Sequence, residues 1–474
     1  RNVTRIESEP DLDAATNEDG TTPTKAVKKQ VLEWQLVNEQ RPIWLRDPKD
    51  VAEEDYNAFY KQTFKGWEEP VAKTHFKTEG QVDFRALIFV PGQIPYELTR
   101  DMFPEDNKPI RLYVKRVFIN DEFKELIPRW LSFVRGVVDS EDLPLNVGRE
   151  ILQRTRMLNV IRKRVVRKSL DMFRDLEASN TTAYASFWKD FGKYLKLGAV
   201  EDDEYRRDLL PLLRWPTSHG DEPTSLDAYV ERMVEGQKYI YYVVAGTREE
   251  ADMSPVLESV RDKGYEVLYC LDPLDELTMQ AAEKYREKDL VDVGKERWDD
   301  LSEEERRQKD EANQEFESLR DWIKSTLGSL VHKVEMSATL KTAPAALKQT
   351  AYGMSPSMQA YLRAQMAAQD PAMSEGMEFN QASLEVNPKH PVVRKLQMLV
   401  ETAPDGEEAR DLAFLLHDVA ALQGGYPLGN NANFAKRITA LLEKDARGMA
   451  EEDGRGADEG GADSREVDVE VVEE

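Results

Sequence analysis

Residues 239–271 read YIYYVVAGTREEADMSPVLESVRDKGYEVLYCL, and this stretch decides the fold class. An apolar run over 239–246 ends at glycine, a second occupies 265–271, and the polar residues 249–263 between them predict a helix. A strand, a helix and a strand at this spacing make a crossover with a parallel pair, because parallel strands cannot be joined by a tight turn. Toward the N-terminus, VDFRALIFV (82–90) predicts another strand. IRLYVKRVFI (110–119) alternates Ile110, Leu112 and Val114 with Arg111, Tyr113 and Lys115, as a half-buried strand should. Trp34, Trp44, Tyr56, Phe59, Tyr60, Phe64 and Trp67 make the segment before these strands rich in aromatic residues.

Residues 150–178 predict a long helix. Ile151, Leu152, Leu158, Ile161, Val165, Leu170 and Phe173 mark its apolar side, and Arg154, Arg156, Arg162, Lys163, Arg164, Arg167 and Lys168 its basic one. A charged helix is expected over 300–327, docking through Phe316, Leu319 and Trp322. HKVEMSATL (332–340) follows as a strand, then helices over 355–369, 391–403, 406–423 and 432–447, the last three separated by Pro404 and by GGYPLGNN (424–431). The layout is an α/β region of roughly 260 residues followed by a mostly helical one of roughly 150.

Composition narrows the function. The chain has 474 residues, 65 Lys plus Arg against 90 Asp plus Glu, and a net charge of −25. With 40% hydrophobic residues it can bury a real core. No apolar run approaches the roughly 18–20 residues that span a bilayer. A strongly acidic chain repels phosphate backbones, so nucleic acid is not expected as a partner. One cysteine, Cys270, allows no intrachain disulfide, and the five histidines lack metal-ligand spacing. Residues 451–474 carry a net −9 and residues 1–24 a net −4. Such segments cannot offset their ordering entropy, so both ends are expected to be mobile.

No phosphate loop, dinucleotide fingerprint, zinc-protease motif or nucleophile elbow is present, which counts against a self-contained enzyme. The informative loop is SEDLPLNVGRE (140–150). Pro144 ends the preceding element, Asn146 can cap a helix, and Gly148 frees the backbone before Arg149. A guanidinium at a helix mouth suits a phosphate and could neutralise a γ-phosphate during hydrolysis. By spacing alone the commoner arrangement is Arg149 paired with Glu141 or Asp142 on the surface. Cys270 lies in an apolar strand and reads as an inert buried thiol. Asn180-Thr-Thr182 fits the glycosylation acceptor pattern, a match of little weight. Trp67, flanked by Gly66 and Glu68-Glu69, and the Met354, Met358, Leu362, Met366 series each allow core packing or a binding surface for apolar segments.

Several long stretches, in order over roughly residues 33–445, resemble the heat-shock protein 90 chaperones: RPIWLRDPKDVAEEDYNAFYK, HFKTEGQVDFRALIFVPG, RLYVKRVFINDEFKELIPRWLSFVRGVVDSEDLPLN, REILQ and LEVNPKHP. The resemblance covers that family's middle and C-terminal domains; its nucleotide-binding domain has no counterpart here. It implies a fold of mixed α+β and α/β class: a middle domain of two αβα sandwich units joined by a helical segment, then a mixed α/β dimerisation domain ending in a helical bundle. The implied boundaries are 1–30 for a disordered linker remnant, 31–297 for the middle domain, 298–447 for the C-terminal domain and 448–474 for a disordered acidic tail. EWQLVNEQRPIWLR, VVRKSLDMF, FWKDFGKYLKLGAVED and TSLDAYVERM look most like the plastid form, with the endoplasmic-reticulum form next. The ending EVDVEVVEE has neither the MEEVD of cytosolic members nor a KDEL-type signal, so tetratricopeptide co-chaperones that read MEEVD are not expected to dock.

By the same resemblance, Arg149 matches the arginine that reaches the ATP γ-phosphate, and Asn146 and Gln153 match its loop companions. Gly148 stands where the family usually has Ser. Trp67 matches a client-contacting position, and Met358 and Leu362 match an amphipathic client-facing segment whose usual Trp is Met354 here. Leu415, Leu416, Val419, Phe434, Ile438 and Leu442 would lie in the dimer interface. The implied function is that of an ATP-dependent chaperone working as a homodimeric clamp. ATP and its magnesium would be bound mainly by the missing domain, so this portion alone would be inactive as an ATPase. Client proteins and co-chaperones, including an organellar heat-shock protein 70 system, would be its partners. Two other classes stand beside this one, a standalone dimeric scaffold without a nucleotide role and an enzyme built on residues 239–271.

Overall fold

The computed structural model describes residues 2–10, 24–32, 41–105, 107–121, 126–143, 156–296, 301–351, 353–369, 382–428 and 430–456. The chain is of mixed α/β class and falls into two compact units, residues 1–172 and 173–474. Residues 297–300, where the sequence places the division between middle and C-terminal domains, lie outside the described residues.

In the first unit, strands β1 (Asn2–Pro10) and β2 (Thr24–Leu32) pair antiparallel, with Val3 opposite Val31 and Glu9 opposite Lys25. Residues 2–10 and 24–32 are thus regularly paired, where the sequence predicts an unpaired linker. Five further strands, β3 (Ala72–Thr78), β4 (Phe84–Val90), β5 (Ile110–Val114), β6 (Val117–Asn120) and β7 (Arg135–Ser140), form one sheet in the order β3-β4-β7-β5-β6. Only the β5–β7 pair is parallel.

The β4 and β7 strands are buried nearly throughout. Helix Glu53–Phe64 lays Tyr56 and Tyr60 onto Leu87, Phe89 and Val137 of that sheet, with Trp44 beside them. Trp44 Nε1 donates to the buried Asp139 carboxylate at 3.0 Å, and the Arg116 N–H donates to its other oxygen at 3.2 Å. Gly136 is required where it stands, since a Cβ there would sit 2.6 Å from Ile88 Cδ1 and 2.7 Å from Leu87 O.

Residues 110–119 correct the single strand expected from their alternation. They are a hairpin that turns at Lys115 and Arg116, both at positive φ (50° and 68°), with Val114 opposite Val117. The inward set Ile110, Leu112 and Val114 is buried as expected.

In the second unit, strands β8 (Trp215–Thr217), β9 (Gly220–Thr224), β10 (Ile240–Val244), β11 (Val267–Cys270), β12 (Lys284–Tyr285) and β13 (Lys288–Asp292) form a sheet in the order β12-β13-β10-β11-β8-β9. β10 is parallel to both β11 and β13, so residues 239–271 make the crossover that the sequence predicts. Its connecting helix is broken into Arg248–Met253 and Glu258–Asp262 around Pro255, which has no N–H to donate. A third sheet, β14 (Val334–Met336), β15 (Ala345–Lys348) and β16 (Ser383–Val386) in the order β14-β16-β15, packs against helices Glu317–Leu327, Pro391–Thr402 and Glu407–Gln423.

The helix expected over 300–327 is two, Glu303–Glu315 and Glu317–Leu327, parted at the buried Phe316. The last helix, Asn431–Gly456, runs into the segment expected to be a disordered tail, and residues 457–474 lie outside the described residues. No helix among the described residues is long and apolar enough to cross a membrane.

Candidate functional site

Helix Glu53–Phe64 stops because Lys65 turns left-handed (φ 56°), and Gly66 follows in van der Waals contact with the Tyr60 ring. A Cβ on Gly66 would clash with that ring, so only glycine lets the chain turn so closely. The turn throws Trp67 outward with 99% of its surface exposed. Behind it lies a cavity of about 370 Å³ walled by Tyr60, Phe64, Ile94, Tyr96 and Arg135. Tyr96, which also lines it, is 73% exposed. Arg135 is held in place, its Nη1 donating to the Ser132 and Val134 carbonyls at 3.1 Å each. Burial pushes the Tyr60 hydroxyl upward, with the Arg135 charge opposing. The lining combines aromatic rings with the Arg135 cation and the acidic residues Glu68 and Glu97, a setting suited to an apolar or aromatic side chain.

In the second unit, helix Pro356–Gln369 carries the methionine series. Met354, just before the helix, is 43% exposed; Met358, Leu362 and Met366 are half-buried, and Tyr361 is 52% exposed. The series is therefore not core, and it presents flexible thioethers beside an exposed ring.

Arg149, Asn146 and Gln153 lie outside the described residues. The strand that leads toward them is firmly anchored. Ser140 Oγ donates to the Asp83 carbonyl at 3.1 Å, the Asp142 carboxylate accepts from the Asp83 N–H at 2.7 Å, and Leu143 is buried.

Of the six proposed interface residues, Leu415 and Leu416 are buried within the chain itself, and Leu416 belongs to its core cluster. Val419, Phe434 and Ile438 are half-buried, and Leu442 is 66% exposed. A second cavity of about 370 Å³ lies between helices Glu407–Gln423 and Asn431–Gly456, lined by Leu412, Leu415, Arg437, Ala440 and Leu441. Arg437 fastens the two helices. Its Nε donates to Asp411 at 3.2 Å, its Nη1 to Asp418 at 3.3 Å, and its guanidinium lies 4.3 Å from the centroid of the Phe414 ring.

Cys270 is fully buried, and burial pushes its thiol well up, so it is no nucleophile. Asn180 caps helix Thr181–Glu201, its side chain accepting from the Ala183 N–H at 2.9 Å. Sequence reasoning missed Tyr96 and Arg437. Only the first had a local signal, an aromatic between Pro95 and Glu97, whereas Arg437 matters through Asp411 and Asp418 on another helix.

Comparison with known proteins gives one consistent result. The family model described as Hsp90 protein matches residues 2–472. The chloroplastic heat shock protein 90-5 of Arabidopsis thaliana is 40% identical over 99% of this chain and 60% of its own length. The mitochondrial heat shock protein 90-6 of the same plant is 40% identical over 89% of the chain and 52% of its own length. The endoplasmin homolog of Caenorhabditis elegans is 39% identical over 93% and 58%. The chain thus spans between half and two thirds of the length of these relatives. Among solved structures, the middle domain of a Plasmodium falciparum heat-shock protein superposes with a TM-score of 0.50 at 42% identity, covering 53% of this chain and all of that one.

Proposed function

The chain belongs to the heat-shock protein 90 family, and on that premise we propose that it is the client-binding and dimerising portion of an ATP-dependent molecular chaperone. The observation that carries this reading is Trp67. A soluble chain rarely leaves an indole 99% exposed over an aromatic cavity unless something apolar docks there. Helix Pro356–Gln369, with Met354, Met358 and Leu362, is the second client-facing segment; its thioethers suit partners of varied shape.

The middle of the chain also serves the nucleotide. By its match to the family pattern, Arg149 is assigned to the ATP γ-phosphate, with Asn146 and Gln153 as its companions. A guanidinium with five donors and two amides is a donor set that fits an anionic phosphate. ATP with its magnesium supplies, when bound, the free energy of hydrolysis. The residues of this chain complete that site rather than make it, so the chain alone is expected to turn over no ATP.

Ile438, Leu442 and the neighbouring Leu441 supply the apolar surface for a homodimer, while Leu415 and Leu416 support it from within. A plastid is the favoured compartment, with the endoplasmic reticulum lumen second. Organellar co-chaperones, including a heat-shock protein 70 system, would deliver clients.

The test is aggregation of a heat-unfolded model protein followed by light scattering. Trp67→Ala should weaken protection about tenfold, as loss of an aromatic hot spot does, with an unchanged melting temperature. Undiminished protection by that variant would overturn the reading.

A further inference from the structure

Ser355 is fully buried and stands immediately before helix Pro356–Gln369. Its Oγ accepts from the Met358 N–H at 3.1 Å, as an N-cap does, and donates to Glu276 Oε2. Glu276 is itself buried in helix Pro273–Ala282, and its other oxygen accepts from Gln280 Nε2 at 3.0 Å. The buried Gln359 closes the same turn, its Nε2 donating to the Met354 carbonyl at 3.0 Å and its N–H to the Ser355 carbonyl at 2.9 Å. One residue before Glu276, Asp275 pairs with Lys196 of helix Thr181–Glu201.

Two facts give this contact its weight. A buried carboxylate that loses a donor keeps its desolvation cost, and hydrogen bonds to an ionised group are roughly twice as strong as neutral ones. The apolar anchoring of helix Pro356–Gln369 is thin as well, since Met358, Leu362 and Met366 are only half-buried. The polar latch therefore decides where the helix begins, and with it which side chains face outward.

We propose that Ser355 and Glu276 are positioning residues for the client-facing helix, their buried hydrogen bond fixing the face on which Met354, Met358 and Leu362 are presented. The inference rests on the client-facing reading given above. It also supplies a mechanical route within the second unit, from helix Thr181–Glu201 through Lys196–Asp275 and Glu276–Ser355 to the binding helix.

The experiment uses the 474-residue chain with Ala364→Cys carrying an environment-sensitive fluorophore. Ala364 is exposed and Cys270 is buried, so labelling is selective. Ser355→Ala, Glu276→Leu, their double variant and Glu276→Gln are compared. Each is examined by dye emission, by hydrogen exchange over residues 357–369, and by affinity for a reduced, carboxymethylated model protein. Ser355→Ala and Glu276→Leu should each speed exchange about tenfold, shift the emission and weaken affinity about fivefold, on the scale of one charged hydrogen bond. The double variant should be no worse than either single one. Glu276→Gln keeps a neutral carbonyl acceptor for the Ser355 proton and should recover a large part of all three readouts relative to Glu276→Leu, which a loss of general packing would not predict. Unchanged exchange in Ser355→Ala, additive effects in the double variant, or failure of Glu276→Gln to rescue would each overturn the latch while leaving the client-facing reading intact. Altered exchange and emission with wild-type affinity would overturn the proposal through that reading instead.

Discussion

Asp292 ends β13 with its carboxylate fully buried near Tyr242, Glu276 and Tyr426. The Gly294 N–H donates to Oδ1 at 2.9 Å, while Oδ2 has no partner among the described residues. Burial raises its pKa to about 6, with Lys295 opposing. Since the folded value lies above the unfolded one of roughly 4, the folded chain takes up a proton first as pH falls. Asp292 therefore adds stability as pH drops from about 6 toward about 4, and withholds it above that window. Glu335 has the opposite sign. Burial pushes it up, but the hydrogen-bonded ammonium groups of Lys333 and Lys309 outweigh this and hold it at about 2. Its contribution is present above roughly pH 4.5 and is lost as pH falls toward 2. Glu258 has the same sign: burial pushes it up, but the Thr342 hydroxyl and the Lys341, Thr342 and Ala343 N–H groups all donate to its carboxylate and hold it below the usual range. Asp292→Asn keeps the acceptor for Gly294 and removes the buried charge. It should raise the melting temperature of the second unit by a few degrees at pH 8 and by much less at pH 5. An equal shift at both pH values, measured calorimetrically, would reject the assignment.

At the scale of elements, what was legible followed from local pattern. Strands β4, β10 and β11 are apolar enough to be read directly, and the helices after residue 390 were bracketed by Pro404 and by the glycines at 424 and 425. The β5–β6 hairpin was not legible, because its turn residues are Lys115 and Arg116 rather than the Asn-Gly pair that normally marks a two-residue turn. Alternation continues across the turn and disguises it. That misreading yields a prediction. Lys115 and Arg116 hold positive φ at a cost of about 1 kcal/mol each, so Lys115→Asn with Arg116→Gly should stabilise the first unit by about 1 kcal/mol in urea unfolding. A loss of stability would mean that the two long side chains contribute packing that the turn geometry conceals. The candidate site divided in the same way. Trp67 was legible from its acidic flanks, and the methionine series from its period. The Glu276–Ser355 contact bridges 79 positions and leaves no local trace. Nor did any pattern foretell that Glu258 would be wrapped by three consecutive backbone N–H groups from a loop more than eighty positions away.

At the scale of the whole molecule, charge and association must be weighed together. The net −25 is concentrated at the ends, with −9 in residues 451–474 alone. Those residues begin in the last turns of helix Asn431–Gly456, whose exposed Leu441 and Leu442, with the half-buried Ile438, supply the apolar surface proposed for the dimer. Pairing two protomers through this helix would set two chains of like net charge against each other while it would bury leucine side chains worth about 2 kcal/mol apiece. The first effect is screened by salt and the second is not, since the Debye length falls from about 20 Å at 0.02 M to about 6 Å at 0.3 M. The dimer, with twice the 54.4 kDa mass of the chain, should therefore tighten as salt is raised over that range, opposite to an association driven by complementary charge. Removing residues 457–474 should tighten it most at low salt and flatten the dependence. Ile438→Asp with Leu442→Asp should give a monomer at every salt concentration, because both changes place charge on the surface to be buried. Multi-angle light scattering across a salt series reads all three. A wild-type monomer at micromolar concentration would remove the dimer, and a dimer that loosens with salt would move the interface from the leucines to the charged residues around Arg437.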